Sequence, residues 1–476
     1  MSDRASLRLP SAALAGLLLA GCTMAPPYEQ PIAPVAAVYP AEGQPEKDVI
    51  PASSLGWRAF FGDPRLEVLI DAALANNRDL RISVARIEEA RGQYRIQRAD
   101  LLPTVNVQGS ALRARSLSST GGTATGGLGN AGTVETYSIG GGISSFELDF
   151  WGRVRSLSDA ARASYLATVQ AERAFRISLI ADVASTYLAL LEADERISRA
   201  EATVDSRNTG LDIARMRREA GVTSALDYRQ SETLLTQAQT QLAALRRTRA
   251  SLRNQLDVLI GGPLEAPLPD PLPLSDQRLT SQLGAGLPSD LLLNRPDVLE
   301  AEQGIRAARG NIGAARAAFF PRITLTGSGG YESIELQNGL GQDGVSWSLG
   351  PASLTLPIFD FGRNRGNLDV AKARDNIAVA TYEKTVQNAF REVADALAAR
   401  RYLADQVAAQ ERALVAQRNS AELAQMRYQN GVASYLEVLD AERNLFDAEQ
   451  SLVAVRREQL DNLVSLYVAL GGGVTD

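Results

Sequence analysis

Few side chains in this chain are equipped for chemistry. Its 476 residues include no histidine and a single cysteine, Cys22. Losing histidine removes the commonest general base and the commonest transition-metal ligand. One cysteine forms neither an internal disulfide nor a thiolate metal cluster. Carboxylates remain, and Glu437 and Asp440 stand three residues apart in a helical pattern, which puts both on one helix face. Catalysis by carboxylates alone has no support in the sequence, so no enzymatic activity, metal or cofactor is expected. The formal charge is −6 with no block of like sign. Nucleic acid, which needs a basic face, is therefore not an expected partner.

Cys22 stands where a secreted chain would be cut. Arg4 and Arg8 precede an apolar run over residues 12–20, followed by Gly21 and Cys22. That layout is a secretory signal peptide over residues 1–21. The run falls short of the roughly 20 residues a membrane-spanning helix needs. Leu19, Ala20, Gly21 and Cys22 resemble the lipobox of bacterial lipoproteins. The resemblance implies cleavage before Cys22 and a covalent lipid on it. Thr23, in place of Asp, implies sorting to the outer membrane. No later stretch is expected to cross a membrane as a helix. A crossing would then need strands closed into a barrel, because lipid tolerates no open sheet edge.

The chain is written twice. Residues 214–227 and 424–437 match at one spacing, which also carries Gly261 onto Gly471 and Gly152 onto Gly362. A nearby spacing pairs residues 98–103 with 316–321. The expected organisation is a lipidated, proline-rich segment (22–56), a first repeat (57–262), a proline-rich link (263–286) and a second repeat (287–472). Pro263, Pro267, Pro269, Pro271 and Pro273 keep the link from being helical.

Each repeat predicts a helical stretch (64–99, then 288–318), a strand pair around a Gly-rich loop, and two long helices. Val105, Val107 and Gly109 alternate with polar residues, as do Phe146, Leu148 and Phe150. Ile323, Leu325 and Gly327 repeat the pattern, and so do Leu354, Leu356 and Ile358. Residues 116–132 and 337–344 read as exposed hairpin loops. The long helices cover 153–220 and 363–430 and turn at Gly221 and Gly431. Val379, Tyr382, Val386, Phe390, Val393 and Leu397 mark one helix face. Leu439, Phe446, Val453, Leu460 and Tyr467 recur every seven residues, as in a left-handed coiled coil. Trp57, Phe60 and Phe61 are expected as packing anchors.

Geometry then requires an oligomer. A run of about 65 helical residues extends roughly 100 Å, which suits a strut or tube wall. Four strands are too few to close, since single-chain barrels start at about eight, but three copies would supply about twelve. The expected fold class is an α+β membrane protein. It is a trimer with four β-strands per chain completing a 12-stranded outer-membrane β-barrel, continued by a long periplasmic α-helical coiled-coil barrel.

Residues 149–155, 293–298 with Ala301 and Glu302, 320–328 and 356–363 resemble, in this order, the outer membrane factor family. These are the TolC-like ducts, and within them the lipoprotein branch of NodT-like efflux lipoproteins. The resemblance runs over nearly the whole mature length. It implies a passive trimeric duct, the outer-membrane component of a tripartite efflux pump. The implied partners are a periplasmic adaptor of the membrane fusion type, an inner-membrane pump of the resistance-nodulation-division type, and outer-membrane lipid.

Carried over by motif, the resemblance places Glu437 and Asp440 at the periplasmic constriction, with Tyr428 as a gate tyrosine and Asp227 as the acid of the first repeat. It assigns adaptor contact to Gly221, Val222 and Thr223 and to Gly431, Val432 and Ala433. The two glycines also serve simply to permit positive φ at the turn. A basic residue that some relatives carry near this tip is Ala433 here, so Arg218 and Arg427 become the substitutes for a locking ion pair. Alternatives are the same duct serving type I protein secretion, a coiled-coil scaffold lipoprotein with no channel, and a carboxylate hydrolase.

Overall fold

The computed structural model describes residues 23–39, 50–115, 133–263, 267–281, 283–284, 288–333, 344–350 and 352–473. Cys22, the signal segment, the loop 116–132 and nearly all of 337–344 lie outside the described residues. Along the chain run β1 (Ile50–Pro51), α1 (Trp57–Phe60), α2 (Pro64–Asn76), α3 (Arg78–Ala99), β2 (Val105–Arg115), β3 (Thr133–Glu147), α4 (Arg153–Glu219) and α5 (Ala225–Leu259). Then follow β4 (Leu283–Gly284), α6 (Leu291–Asn294), α7 (Pro296–Ala317), β5 (Arg322–Ser333), β6 (Val345–Leu349), β7 (Ser353–Thr355), α8 (Arg363–Gln429) and α9 (Tyr435–Ala469). The hairpin helices match in length between halves: α4 and α8 have 67 residues each, α5 and α9 have 35.

Both leading helical stretches are broken where one helix was expected. Asn77 leaves the helix at ψ 132°, and its side-chain oxygen accepts the Leu80 amide. It thereby caps the next helix as Asn does best. Its side-chain nitrogen donates to the Leu259 carbonyl at the end of α5. Arg295 breaks the second stretch because the residue before Pro296 is pushed out of the α region. Its guanidinium donates to the Ala469 carbonyl at the end of α9. Each break therefore ties a repeat's first helices to the end of its last.

The chain divides into two compact units. The first gathers Met1–Gln30, Glu88–Ala167 and Glu302–Ala380. Its sheet runs β2-β3-β5-β6, with β7 also on β5, all antiparallel. Register and alternation give the sheet two unlike faces. Val105, Val107, Ile139, Gly141, Gly329, Tyr331, Trp347 and Leu349 align on one, and its large side chains are exposed. Asn106, Gln108, Ser110, Ser138, Ser328, Ser346 and Ser348 align on the other, with Ser110 bonded to Ser138 and Ser328 to Ser348. The fourth strand is split into β6 and β7 at Gly350, whose φ is 108°. Leu148, Phe150, Leu356 and Ile358 lie past the strand ends, although the Leu148 amide still donates to the Ile323 carbonyl.

The second unit comprises Pro31–Ile87, Thr168–Ala301 and Thr381–Asp476. Trp57, Phe60 and Phe61 are at most 1% exposed, as anchors should be. Phe60 stacks on Tyr467 at 4.1 Å, and the Tyr467 hydroxyl donates to the Leu55 carbonyl. Burial of each such side chain contributes about 1.5–3 kcal/mol. Buried Asp63 accepts from the Arg65 amide, Tyr187 and Gln277. Leu439, Phe446, Val453 and Tyr467 of the seven-residue series are buried, as are Tyr382, Val386, Val393 and Leu397.

One helix resembles a membrane span by composition. A window inside α4 reaches a mean hydropathy of 1.5 and passes as a membrane span by length and composition. Half of it is buried, and Leu179, Ile180, Val183, Ala184, Tyr187 and Leu188 are 2% exposed or less. Its apolarity is that of a core helix, which composition alone does not separate from a span.

Candidate functional site

Both long hairpins turn in the same way. The Gly221 amide donates to Arg218 and the Val222 amide to Arg217; Gly431 and Val432 repeat this with Tyr428 and Arg427. This double closure needs a left-handed residue after the helix end. Gly221 and Gly431 supply it at φ 69° and 71°. Nothing lies within 4 Å of where their Cβ atoms would be, so conformation rather than space demands glycine. Val222 and Val432 are left at the turns about two-thirds exposed. Thr223 and Ala433 are half-buried beside them.

The two halves diverge one turn later. In the first, Ser224 accepts the Asp227 amide while the Asp227 carboxylate accepts from the Ser224 amide and, at 2.6 Å, from the Thr223 hydroxyl. This reciprocal cap satisfies the free amides at the start of α5. The Thr223 hydroxyl bond, ahead of the other contacts, holds the Asp227 carboxyl below its usual range. Ser224 and Asp227 form a Ser-x-x-Asp pattern, the sequence signal for such a cap.

In the second half Ser434 makes no side-chain cap. Glu437, aligned with Asp227, turns instead to Arg427 across the turn, at 2.9 Å with both side chains about half exposed. Asp440 pairs with Arg443 at 3.0 Å. Of the two arginines proposed as substitutes for the missing basic residue, Arg427 makes the ion pair. Arg218 lies over the Tyr228 ring, 4.4 Å from its centroid. Tyr428 packs against Tyr435 at 5.0 Å and under Arg217 at the same distance.

Tyr435 was not singled out in sequence. It begins α9 and reaches the other hairpin, where its hydroxyl bonds with Ser231 and burial pushes its phenol up. A Cβ at Gly210 would stand 2.9 Å from that hydroxyl. Gly210 is the only glycine in α4, a signal that could have pointed there.

The arrangement offers paired charges and exposed valines at the hairpin ends, and a two-faced sheet. Among the described residues no acid or cysteine cluster suits a metal.

The sequence pattern of the family described as outer membrane efflux protein matches residues 69–262 and 287–472. The chain is 44% identical over 472 residues to the solvent efflux pump outer membrane protein SrpC of Pseudomonas putida, covering 98% of both. It is 42% identical over 468 residues to outer membrane protein OprJ of Pseudomonas aeruginosa, covering 97% of this chain and 95% of that one. Its fold is similar to the open state of the Neisseria gonorrhoeae MtrE outer membrane channel, with a TM-score of 0.85 and 40% identity over 95% of this chain and 99% of the other. The chain belongs to the outer membrane efflux protein family.

Proposed function

We propose that this chain is the outer-membrane duct of a tripartite efflux pump, working as a homotrimer that passes small molecules outward and performs no catalysis. The observation that carries the proposal is the sheet. One face is a band of exposed Val, Ile, Tyr, Trp and Leu, while the other is mostly Ser, Asn, Gln, Thr and Gly, with Leu112 and Glu332 among them. Such a sheet suits lipid on one side and water on the other. Lipid would leave its edges unsatisfied unless further copies closed them, and three chains supply about twelve strands. The paired helices would extend the duct through the periplasm.

Within this reading Cys22 carries a lipid anchor. The hairpin ends at Gly221, Val222, Thr223, Gly431, Val432 and Ala433 meet a periplasmic adaptor, which links the duct to an inner-membrane pump of the resistance-nodulation-division type. Glu437 and Asp440 line the constriction with Tyr428 beside them, and Arg427 is the counter-charge that keeps it tight. SrpC, named as part of a solvent efflux pump, supports small apolar molecules as cargo.

The test is planar-bilayer conductance of the detergent-extracted trimer beside Glu437→Ala/Asp440→Ala. The proposal expects a small cation-selective current in the parent and a larger or less selective one in the variant. Equal currents would remove the constriction assignment. Folded trimers that never conduct would remove the duct.

A further inference from the structure

Trp151 and Phe361 hold matching places in the two halves. Each precedes the left-handed glycine, Gly152 or Gly362, that opens a 67-residue helix. Trp151 is docked. Its ring stacks on Phe320 at 4.8 Å and its indole N–H donates to the Pro321 carbonyl at 2.8 Å. Phe361 is fully exposed, at 103%, and sits at φ 51°, a conformation that costs a non-glycine residue free energy. An aromatic knob held outward at such a cost fits a place where something covers it.

The first half shows what the cover is. Trp151 lies on the helix-to-strand junction of the following repeat, Phe320 and Pro321. Beside that contact β3 pairs with β5, Phe146 opposite Leu325 and Glu147 opposite Thr324, and the Leu148 amide donates to the Ile323 carbonyl. By the repeat, residues 146–148 correspond to 356–358, residues 323–325 to 105–107, and Phe320–Pro321 to Leu102–Pro103. In the single chain these counterparts stand open. Leu102, Val105, Val107, Leu356 and Ile358 are all exposed, and among the described residues the outer edges of β2 and of β6 and β7 pair with no strand.

We infer that a second copy of this chain completes the pattern with a fixed register. Residues 356–358 add antiparallel to residues 105–107 of the second copy. Leu356 stands opposite its Val107, the Ile358 amide donates to its Val105 carbonyl, and the Phe361 ring covers its Leu102 and Pro103. The inference rests on the trimeric duct reading and adds to it the register and the knob.

Pro357 agrees with this placement. Ladder bonds to one neighbour recur at every second residue. With positions 356 and 358 bonding the second copy, position 357 owes it no donor, which is where a strand tolerates proline. The Phe361 ring has no N–H to replace the indole N–H of Trp151, so this joint keeps only the apolar part of the contact.

The test is cysteine cross-linking in the full chain. Cα atoms opposite each other in such a pair lie about 5.5 Å apart, inside the disulfide range. Oxidised Val107→Cys/Leu356→Cys should run as covalent dimers and trimers that collapse on reduction. Gly109→Cys/Leu356→Cys, two residues out of register, should give under a tenth as much. The parent, with Cys22 alone, should give none. Phe361→Ala leaves the exposed single-chain surface otherwise intact, and should raise the dissociation constant of the oligomer at least tenfold by sedimentation. Stronger linking of the off-register pair, or no linking in a proven trimer, overturns the register. Unchanged assembly in Phe361→Ala overturns the knob. A parent that sediments only as a monomer overturns the duct reading itself.

Discussion

Arg427→Gln separates a charge effect from a stability effect at the hairpin tip. The Arg427–Glu437 pair spans 2.9 Å, but the side chains are 54% and 45% exposed. An ion pair so wetted contributes about 0.2–1 kcal/mol, so the variant should melt within a few degrees of the parent. Its effect on ions should be larger. A carboxylate about 5 Å from a passing cation, in water, attracts it by about 0.8 kcal/mol. At about 1.4 kcal/mol per factor of ten, baring one Glu437 should enrich cations roughly fourfold and deplete anions roughly fourfold, raising cation over anion preference roughly fifteenfold. Three bared carboxylates around one aperture would raise it further. The assay is the reversal potential across a potassium chloride gradient in bilayers holding purified trimers. The gain should be clear near 0.1 M salt and nearly vanish near 1 M, where the screening length falls from about 10 Å to about 3 Å. A conducting trimer whose reversal potential does not move at low salt would show that Glu437 faces away from the passage.

The capping difference between halves predicts unequal costs. Ser224→Ala should weaken the start of α5 by about 1 kcal/mol, seen as faster local hydrogen exchange, while Ser434→Ala, with no side-chain cap to lose, should change little. The Asp227 carboxyl is held below its usual range by the folded state, so its contribution is present above the unfolded value of about 3.9 and is lost as pH falls through the lower folded one. Exchange at the α5 start should therefore rise below about pH 4, and Asp227→Asn should flatten that rise. Gly210→Ala would place a methyl group 2.9 Å from the Tyr435 hydroxyl, so Tyr435 should shift and exchange should rise at both tips; unchanged exchange would mean the ring yields without consequence. Phe60→Ala, which strips the face stacked on Tyr467, should cost about 3–5 kcal/mol in thermal unfolding.

Periodicity made the hairpins legible to within a residue. No proline and one glycine over 67 positions leave an α-helix no reason to stop, and positive-φ glycine then ends it. Residues acting through side chains at a distance were harder. Nothing local says that Asn77 and Arg295 break their helices in order to bind the carbonyls of Leu259 and Ala469, 182 and 174 positions away. The fourth strand was misplaced for a different reason. Leu354, Leu356 and Ile358 alternate well, but only Leu354 lies in β7, and β6 sits earlier, across Gly350. Alternation reports which face a residue takes, not whether a neighbouring strand is there to pair with it.

Duplication explains why the acids at the tips should not be treated alike. Positions 227 and 437 descend from one motif, and both follow a glycine turn of nearly identical φ. In the first half Thr223 and Ser224 occupy the carboxylate, and its charge serves the helix start. In the second half the threonine position is Ala433, which has no hydroxyl to offer, so Glu437 is released to reach Arg427. Alanine at position 433 thus leaves the acid free to pair with Arg427. A carboxylate balanced by one exposed arginine can change partner at little cost, whereas one holding a cap cannot. That asymmetry argues for seeking the constriction's charge in the second hairpin, and for expecting Asp227→Asn to change helix stability while leaving ion preference where it was.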